Sequence, residues 1–324
     1  MKDIILIISH QNDIHVEAVA NKLIAEKEKV LLLTLNDIGA TGININIDND
    51  KSNVYLKLES SQEIVNLSDV KSLWLRRTRM PDNICTQIKD ISSREFSVNE
   101  YEYVLRGLYA TTKAFVVSDY YAMRKADNIL FQYSIAREIG LEIPSTIITN
   151  DPGEALEFAE SFDKVCCKPM TDIINLKEGN YFGYTKVIPK EAIKKFCKSI
   201  KLAPTLIQEY IPKKFDLRIT VVGKNVFACA IHSQETPETS EDWRQYYKNA
   251  PHTPFCLPDY ISEKLIFLTQ RLGLVFGAID MILTPDERFV FIEDNPNGQW
   301  YWIQEMAGLN IAESIAKMLK RASV

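Results

Sequence analysis

Residues 280–300 read D-M-I-L-T-P-D-E-R-F-V-F-I-E-D-N-P-N-G-Q-W, and this stretch decides the fold of the C-terminal part of the chain. An apolar run ends at Leu283, a polar turn follows at 284–287, and aromatic side chains then alternate at Phe289 and Phe291. Apolar and alternating runs separated by a short proline-containing turn are typical of two adjacent strands. The sequence therefore predicts a β-hairpin that continues into a polar, glycine-containing segment.

Three oxygen-bearing side chains can meet on one face of this hairpin. Residues two apart in a strand share a face, so Glu293 and Asn295 point the same way. Asp280 on the partner strand can join them. Two carboxylates and an amide oxygen form a hard, all-oxygen donor set that suits Mg²⁺ carrying nucleotide phosphates. The alternative interpretation is an acidic turn after an edge strand.

The motif extends beyond the three candidate ligands to the full string 293–300, E-D-N-P-N-G-Q-W. Asp280, Glu293 and Asn295 resemble the metal-binding signature of the ATP-grasp ligases. The full string resembles one branch of them, the microviridin-type peptide-cyclising ligases or graspetide synthetases. The resemblance implies an ATP-grasp fold, α/β with α+β character in the C-terminal part, preceded by an α/β pre-ATP-grasp domain. It also implies that ATP and a pair of Mg²⁺ ions are bound.

Further segments match the same family in the same order along the chain. They are W-L-R-R at 74–77, A-x-N…G-L-x-x-P-x-T within 126–146, K-P at 168–169, D-L-R at 216–218, and S-Q…D-W-R within 233–244. The D-x-R and E-x-N elements occur throughout the superfamily. The combination of N-P-N-G-Q-W with S-Q…D-W-R is much more specific. The resemblance therefore covers nearly the whole chain.

The composition is that of an ordinary soluble globular protein. The chain has 324 residues, of which 46% are hydrophobic and 25% charged, and its net charge is −5. This charge argues against nucleic acid as the main partner. We expect no membrane span, because no apolar run approaches the ~20 residues required. The six cysteines form no C-x-x-C pair, and several lie in apolar runs, which predicts reduced thiols in a cytoplasmic protein.

Alternating strand and helix patterns divide the chain into three parts. We predict an N-terminal α/β domain over 1–118, a central ATP-grasp subdomain over 119–205 and a C-terminal ATP-grasp subdomain over 206–324. The longer helices are predicted at 14–28, 92–112, 123–139, 190–200, 262–272 and 311–320.

Two segments are expected to contact the nucleotide. Lys168, at the end of an apolar strand, matches the ATP-grasp lysine on the α- and β-phosphates. The second segment resembles the inter-lobe hinge and consists of Gln208, Glu209, Tyr210 and Ile211. In that hinge, backbone groups pair with adenine and apolar side chains cover the ring. Without the resemblance, the two segments are also explained by a lysine at a strand end and a buried strand before Pro212.

Asp216 and Arg218 are expected to take part in the chemistry. They lie two apart, hence on one face of a strand. The matching arginine of ATP-grasp ligases grips phosphoryl or acyl-phosphate oxygens, a task that suits a planar, always-charged guanidinium. A plain cross-strand salt pair is the alternative.

Two positions depart from the family pattern. The family has lysine directly after the asparagine of A-x-N, whereas Ile129 follows Asn128 here. Lys125, four residues earlier on the same face of the predicted helix, is the candidate replacement at the phosphates. Asp294 stands where the family usually has an apolar residue, so we expect it either at the rim of the sheet or buried at a cost in stability.

The resemblance implies an ATP- and Mg²⁺-dependent ligase that releases ADP and phosphate. It would activate Asp or Glu side chains of a ribosomal precursor peptide as acyl phosphates and join them to Ser, Thr or Lys side chains, giving macrocyclic esters or amides. One alternative is an amino-acid or small-molecule carboxylate–amine ligase. Another is a nucleotide-binding regulator without turnover, which only Ile129 favours.

The expected partner is the precursor peptide, and the expected assembly is a homodimer. By resemblance, a leader segment docks on the central subdomain, where residues 171–200 are the candidate surface. Lys194 and Lys198 suit an acidic leader. The candidate apolar anchors are Phe182, Tyr184, Ile193 and Phe196. The alternative is an ordinary amphipathic helix whose apolar residues belong to the core.

Overall fold

The structure is a computed structural model that describes residues 3–49, 52–59, 61–81, 83–171, 175–176, 179–180, 185–235, 237–240, 242–245 and 250–321. The strands are β1 (Ile4–Ser9), β2 (Lys29–Thr34), β3 (Gly42–Ile47), β4 (Ser52–Lys57), β5 (Ile64–Asn66), β6 (Val70–Leu75), β7 (Phe115–Val117), β8 (Thr146–Thr149), β9 (Lys164–Lys168), β10 (Asn175–Leu176), β11 (Gly179–Asn180), β12 (Lys186–Pro189), β13 (Thr205–Glu209), β14 (Phe215–Val222), β15 (Asn225–Ile231), β16 (His252–Phe255), β17 (Phe276–Leu283) and β18 (Phe289–Asn295).

The α-helices are α1 (Ile14–Ala25), α2 (Ile91–Thr111), α3 (Tyr120–Ala126), α4 (Ile129–Glu138), α5 (Pro152–Glu160), α6 (Cys197–Ile200), α7 (Pro237–Ser240), α8 (Asp259–Arg271), α9 (Tyr301–Ala307) and α10 (Ile311–Lys320). The 3₁₀ segments are Leu35–Ala40, Leu67–Asp69, Lys190–Phe196, Ser233–Glu235 and Trp243–Gln245. No helix among the described residues is both long enough and apolar enough to cross a membrane.

The N-terminal part is a parallel sheet in the order β2-β1-β6-β7. Every residue of β1 is buried, as its unbroken apolar run predicts for a parallel strand covered on both faces. One face packs against α1 and α10, and their apolar side chains form one core with Ile5 and Ile7. The hydroxyl of Ser72 on β6 donates to the Leu319 carbonyl of α10 at 2.6 Å. The N-terminal sheet is therefore completed by a helix from the far end of the chain.

The central part is an antiparallel sheet in the order β12-β9-β13-β8. Its small core includes buried residues of α5 and β13. Since β13 pairs with both β8 and β9, residues 206–209 lie in this sheet, whereas the predicted boundary assigned them to the C-terminal subdomain. We propose that the central subdomain extends to Glu209.

The C-terminal part is an antiparallel sheet in the order β16-β15-β14-β17-β18. The hairpin predicted from residues 280–300 is confirmed as β17 and β18. In the register of the sheet, Asp280 pairs with Arg218 of β14 on one side and with Glu293 of β18 on the other. A shift in register follows Asp280. Local strand alternation and this register place the charged residues together.

The helix predicted over 123–139 is broken into α3 and α4. The side chain of Asn128 accepts hydrogen bonds from the amides of Leu130 and Phe131 at 3.0 and 3.4 Å, which caps the start of α4. An asparagine side chain that binds nearby backbone amides competes with continuous helix, and here the cap prevails. The predicted helix over 190–200 is a 3₁₀ segment followed by α6.

Candidate active site

The three predicted metal ligands lie together at the end of the β17–β18 hairpin. Asp280 and Glu293 are cross-strand partners. The side-chain nitrogen of Asn295 lies 3.4 Å from Oδ2 of Asp280 and 3.5 Å from Oε1 of Glu293. Alternation along β18 turns Glu293 and Asn295 to the same face, as the sequence predicted.

Two cations flank these carboxylates. Lys168, the last residue of β9, places its Nζ 3.1 Å from Oε2 of Glu293. Nη1 of Arg218 donates to Oδ2 of Asp280 at 2.9 Å. Burial is the largest influence on the pKa of Glu293 and raises it, but the charge and hydrogen bond of Lys168, the charge of Arg244 and the Asn295 hydrogen bond together leave that pKa below its usual value. Burial raises the pKa of Asp280 more than Arg218 lowers it.

The donor set fits Mg²⁺. It contains two carboxylates and an amide oxygen, and phosphate and water oxygens can complete the shell of a hard cation. Across the described residues, no three His, Cys, Asp or Glu side chains are grouped so that they could hold a metal ion, so this site has two carboxylates and needs the amide oxygen of Asn295 as its third protein ligand. The residues that would hold Mg²⁺ are Asp280, Glu293 and Asn295.

A pocket between the central and C-terminal sheets contains the predicted hinge. All four hinge residues line it, together with Lys168, Asp280 and Glu293. Ile211 packs with Ile282 and Ile292 into an apolar wall. Such a wall beside backbone polar groups is the usual environment of a planar heterocycle.

Three of the hinge residues use polar groups inside the protein, and the Glu209 amide donates to the Ser145 carbonyl at 3.0 Å. The side-chain amide of Gln208 donates to the Tyr133 hydroxyl at 2.8 Å and to Oγ1 of Thr146 at 2.9 Å. The Tyr210 amide donates to the Lys164 carbonyl at 3.2 Å. Gln208 therefore fixes the hinge to α4 and β8.

Asp216 and Arg218 have different partners. The Asp216 carboxylate accepts hydrogen bonds from Oγ of Ser233 at 2.5 Å and from Nζ of Lys213 at 3.2 Å. Arg218 pairs across the sheet with Asp280 instead. Asp216 lines the hinge pocket, whereas Arg218 lines a second cleft. The serine of the S-Q motif thus serves to fix Asp216.

The second cleft, of about 1670 Å³, lies between the N-terminal part and the candidate metal ligands Asp280, Glu293 and Asn295. It shares four residues with the hinge pocket: Trp243, Arg244, Asp280 and Glu293. Its lining includes four arginines that precede α4, Arg77, Arg79, Arg106 and Arg124. The carboxylates in the same part of the lining are Glu102 and Asp127. The two cavities therefore meet at the candidate metal ligands.

Arg244 is a site residue for which the sequence analysis assigned no role. Its guanidinium donates to Asp242 through Nε at 2.8 Å and Nη2 at 2.5 Å, and the same carboxylate accepts the Thr185 amide at 2.9 Å. Burial is the largest influence on the pKa of Asp242 and raises it, but the hydrogen bonds and charge of Arg244 together with the Thr185 amide make the net shift downward. The sequence signal for this ion pair was the D-W-R motif at 242–244, which carried no assigned function.

The structure does not bring Lys125 to either cavity. Its Nζ lies 4.2 Å from the centre of the Phe131 ring. Among the residues that the structure describes, Lys125 is not part of either lining, whereas Ile129 lines the second cleft. The proposed replacement rested on a shared helical face, which the break at Asn128 removes.

Asp294 is buried, which was one of its two expected positions. It is 2% exposed, and its carboxylate lies against Gly277, where an added Cβ would be 2.7 Å from both oxygens. Burial raises the pKa of Asp294 to about 7. Asp294, the acidic residue that departs from the family pattern, is therefore a core residue.

The candidate leader surface is only partly covered by the structure. Phe182 and Tyr184 lie outside the described residues. Ile193 is fully buried in the core of the central sheet, so its prediction as an apolar anchor was wrong. Phe196 is 42% exposed, and Lys194 and Lys198 are also exposed.

The three largest sheets, the hinge pocket and the Asp280–Glu293–Asn295 set are those of an ATP-grasp ligase. A family profile described as "RimK-like ATP-grasp domain" matches residues 126–319, and one described as "MvdD pre-ATP grasp domain" matches residues 4–124. The chain belongs to the RimK-like ATP-grasp family. The expected fold and the resemblance to graspetide-type ligases are confirmed.

Solved structures resemble the chain over its full length. A RiPP-associated ATP-grasp ligase of Chryseobacterium gregarium, in complex with ADP and a leader and core peptide, is 26% identical with a TM-score of 0.90, covering 99% of this chain and 98% of its own. The macrocyclase MdnC of Microcystis aeruginosa, bound with precursor peptide MdnA, is 27% identical with a TM-score of 0.85, covering 98% and 99%. MdnB of the same organism is 28% identical with a TM-score of 0.80, covering 98% and 99%. No curated protein sequence matches the chain.

Proposed function

We propose that this ligase uses ATP and Mg²⁺ to activate Asp or Glu side chains of a ribosomal precursor peptide and to close macrocyclic esters or amides. The observation that carries the proposal is the junction of the two cavities. The hinge pocket opens onto an arginine-lined cleft at Asp280 and Glu293, so a nucleotide and an acidic chain can meet there. The ligases that resemble this chain along its whole length support it.

The described residues divide the work of the reaction. Asp280, Glu293 and Asn295 would hold a pair of Mg²⁺ ions, whose charge would stabilise the transferring phosphoryl group. Lys168 would contact the α- and β-phosphates. A substrate carboxylate oxygen attacks the γ-phosphorus and ADP leaves. A hydroxyl or amine then attacks the acyl carbon, loses its proton and expels phosphate. Arg218 is placed to grip the acyl-phosphate oxygens.

Adenine is assigned to the hinge. The Tyr210 amide is already bonded to Lys164, so the Ile211 amide is the hinge donor proposed for the base. The side chains of Ile211, Ile282 and Ile292 cover the ring. Asp216, fixed by Lys213 and Ser233, acts at the nucleotide side of the pocket and keeps Arg218 free for Asp280.

The direct test is mass spectrometry of a precursor peptide co-expressed with the ligase. Each closure removes one water, so the expected product is lighter than the linear precursor by whole multiples of the mass of water. Because side chains are joined into rings, the product should also resist fragmentation within the rings. An amino-acid or small-molecule ligase would give a mass gain or no change in the peptide. ATP binding without ADP release in the presence of any acidic peptide would support the regulator and contradict the proposal.

The arginines of the second cleft give a specific prediction for substrate binding. Charge reversal by Arg124→Glu should raise the KM for the precursor about tenfold, because the cleft attracts an acidic chain. The KM for ATP should not change. The matched control is Arg137→Glu, an exposed arginine of α4 outside both described linings. Equal effects of the two substitutions, or a change in the KM for ATP alone, would contradict the assignment.

The docking of the leader and the assembly are part of the same proposal. We place an acidic leader on the exposed side chains of Lys194, Phe196 and Lys198. Charge reversal at both lysines should weaken leader affinity, whereas Lys224→Glu on the β14–β15 turn should leave it unchanged. We also propose a cytoplasmic homodimer, which sedimentation of the purified chain would test.

A further inference from the structure

The W-L-R-R and N-P-N-G-Q-W motifs contact each other through Arg76 and Asn297. The chemistry proposed above assigns no role to either residue. Nη1 of Arg76, just after β6, donates to the Asn297 carbonyl at 2.7 Å and to its side-chain oxygen at 2.9 Å. The side-chain nitrogen of Asn297 donates back to the carbonyls of Arg76 at 2.5 Å and Leu75 at 3.3 Å. Four hydrogen bonds therefore join the edge of the N-terminal sheet to the turn after β18.

Arg76 is a charged residue buried at a cost in folding free energy. It is 1% exposed, and its Nε and Nη2 have no hydrogen-bond partner among the described residues. Its nearest carboxylate oxygen, Oδ2 of Asp13, lies 3.6 Å from Nε. A buried charge with incomplete partners contributes little to stability. Its hydrogen bonds fix the position of Asn297, and this constraint, rather than net stabilisation, accounts for a buried arginine here.

The turn held by Arg76 in turn holds Arg218. Nη2 of Arg218 donates to the Gln299 carbonyl at 2.9 Å, while Nη1 donates to Asp280 at 2.9 Å. The contact is close, because a Cβ on Gly298 would lie 2.8 Å from Nη2 of Arg218 and 2.5 Å from Cβ of Ala278. A shift of the turn must therefore displace the guanidinium.

We propose that Arg76 and Asn297 are positioning residues that act through the Gln299 carbonyl on Arg218 and, through Arg218, on the metal ligand Asp280. Through this chain of contacts the N-terminal part sets the geometry of the phosphoryl-transfer site. This inference rests on the proposed function, since it assigns Arg218 and Asp280 to that chemistry. A displacement of about 1 Å at such a site is enough to lower the rate severely.

The test compares Asn297→Ala with Ser72→Ala. Asn297→Ala breaks the link to Arg76, whereas Ser72→Ala removes another hydrogen bond between the same parts of the chain, to the Leu319 carbonyl. We expect Asn297→Ala to lower kcat for precursor-dependent ADP release roughly 10- to 100-fold. The Mg²⁺ concentration for half-maximal activity should rise, and the KM for the precursor should hold. Ser72→Ala should leave all three quantities near wild type.

A double variant separates positioning from simple loosening. Because Arg76 and Asn297 act as one unit, Arg76→Gln combined with Asn297→Ala should lower kcat no further than the worse single variant. Additive losses, an unchanged kcat, or equal losses in Ser72→Ala would overturn the proposal. Thermal melting of each variant checks that it is folded. If Arg76→Gln does not fold, the comparison of Asn297→Ala with Ser72→Ala still tests the proposal.

Failure of the proposed function gives a different result. If the wild type does not turn over with any precursor, the proposed function is wrong. The positioning relay, by which Arg76 and Asn297 act through Arg218 on Asp280, is then tested by measuring ATP binding. Calorimetry of ATP at several Mg²⁺ concentrations should then show a several-fold weaker Mg²⁺-dependent affinity in Asn297→Ala only. Identical affinities in Asn297→Ala, Ser72→Ala and wild type would overturn the relay.

Discussion

Glu293→Ala should lower precursor-dependent ADP release about 1000-fold, because it removes a proposed Mg²⁺ ligand and leaves a buried cation without its partner. The side chain sits between Asp280 on the neighbouring strand and Nζ of Lys168 at 3.1 Å. The loss should fall on kcat, since the hinge pocket that we assign to adenine keeps its apolar wall. Raising the Mg²⁺ concentration should restore only a small part of the rate.

The matched control for this substitution is Asp286→Ala on the β17–β18 turn. Asp286 is an exposed carboxylate of the same hairpin, paired with Arg288. We expect near wild-type kinetics from it, so any general weakening of the hairpin would show there as well. Equal ADP release by wild type and Glu293→Ala would contradict the assignment of Glu293 as a Mg²⁺ ligand.

The second large effect concerns stability and pH. Burial raises the pKa of Asp294 from 3.8 to about 7, so between these values the folded chain keeps a proton that the unfolded chain releases. Stability contributed by that proton is present below pH 4 and is lost as pH rises through 7. The shift corresponds to at most about 4 kcal/mol. We therefore expect Asp294 to make the fold less stable at pH 8 than at pH 5.

The measurement is the difference between wild type and Asp294→Asn. Other buried carboxylates, such as Asp13 and Asp242, have lowered pKa values and act in the opposite direction, so the wild-type curve alone does not isolate Asp294. Denaturant unfolding in EDTA at pH 5 and pH 8 should show that the variant loses less stability than wild type over this interval. An identical change in both chains would mean that Asp294 does not titrate as described.

What the sequence predicted best is what depends on neighbouring residues. Strand alternation at Phe289 and Phe291 gave the hairpin, and the same period of two placed Glu293 with Asn295. The motif order then identified the fold. Asp280 could be added because a hairpin pairs its own two strands, which needs no knowledge of the rest of the molecule.

What the sequence did not provide depends on contacts between distant residues. Asp216 was grouped with Arg218 by spacing, but sheet register gives Arg218 to Asp280. Arg76 and Asn297 are separated by 221 positions, so no local pattern can pair them. The break after α3 was missed because apolar periodicity continues across Asn128, while one side-chain cap decides the backbone there.

The packing of α10 against β6 and α1 has a consequence for synthesis on the ribosome. The N-terminal sheet is translated early, yet the apolar partner of its Ile5 and Ile7 face includes Ile311, Ile315 and Leu319. Until those residues leave the exit tunnel, that face is uncovered and open to chaperones or to misassembly. Ribosome-stalled chains ending before residue 311 should therefore be degraded by added protease much faster than chains that have released α10.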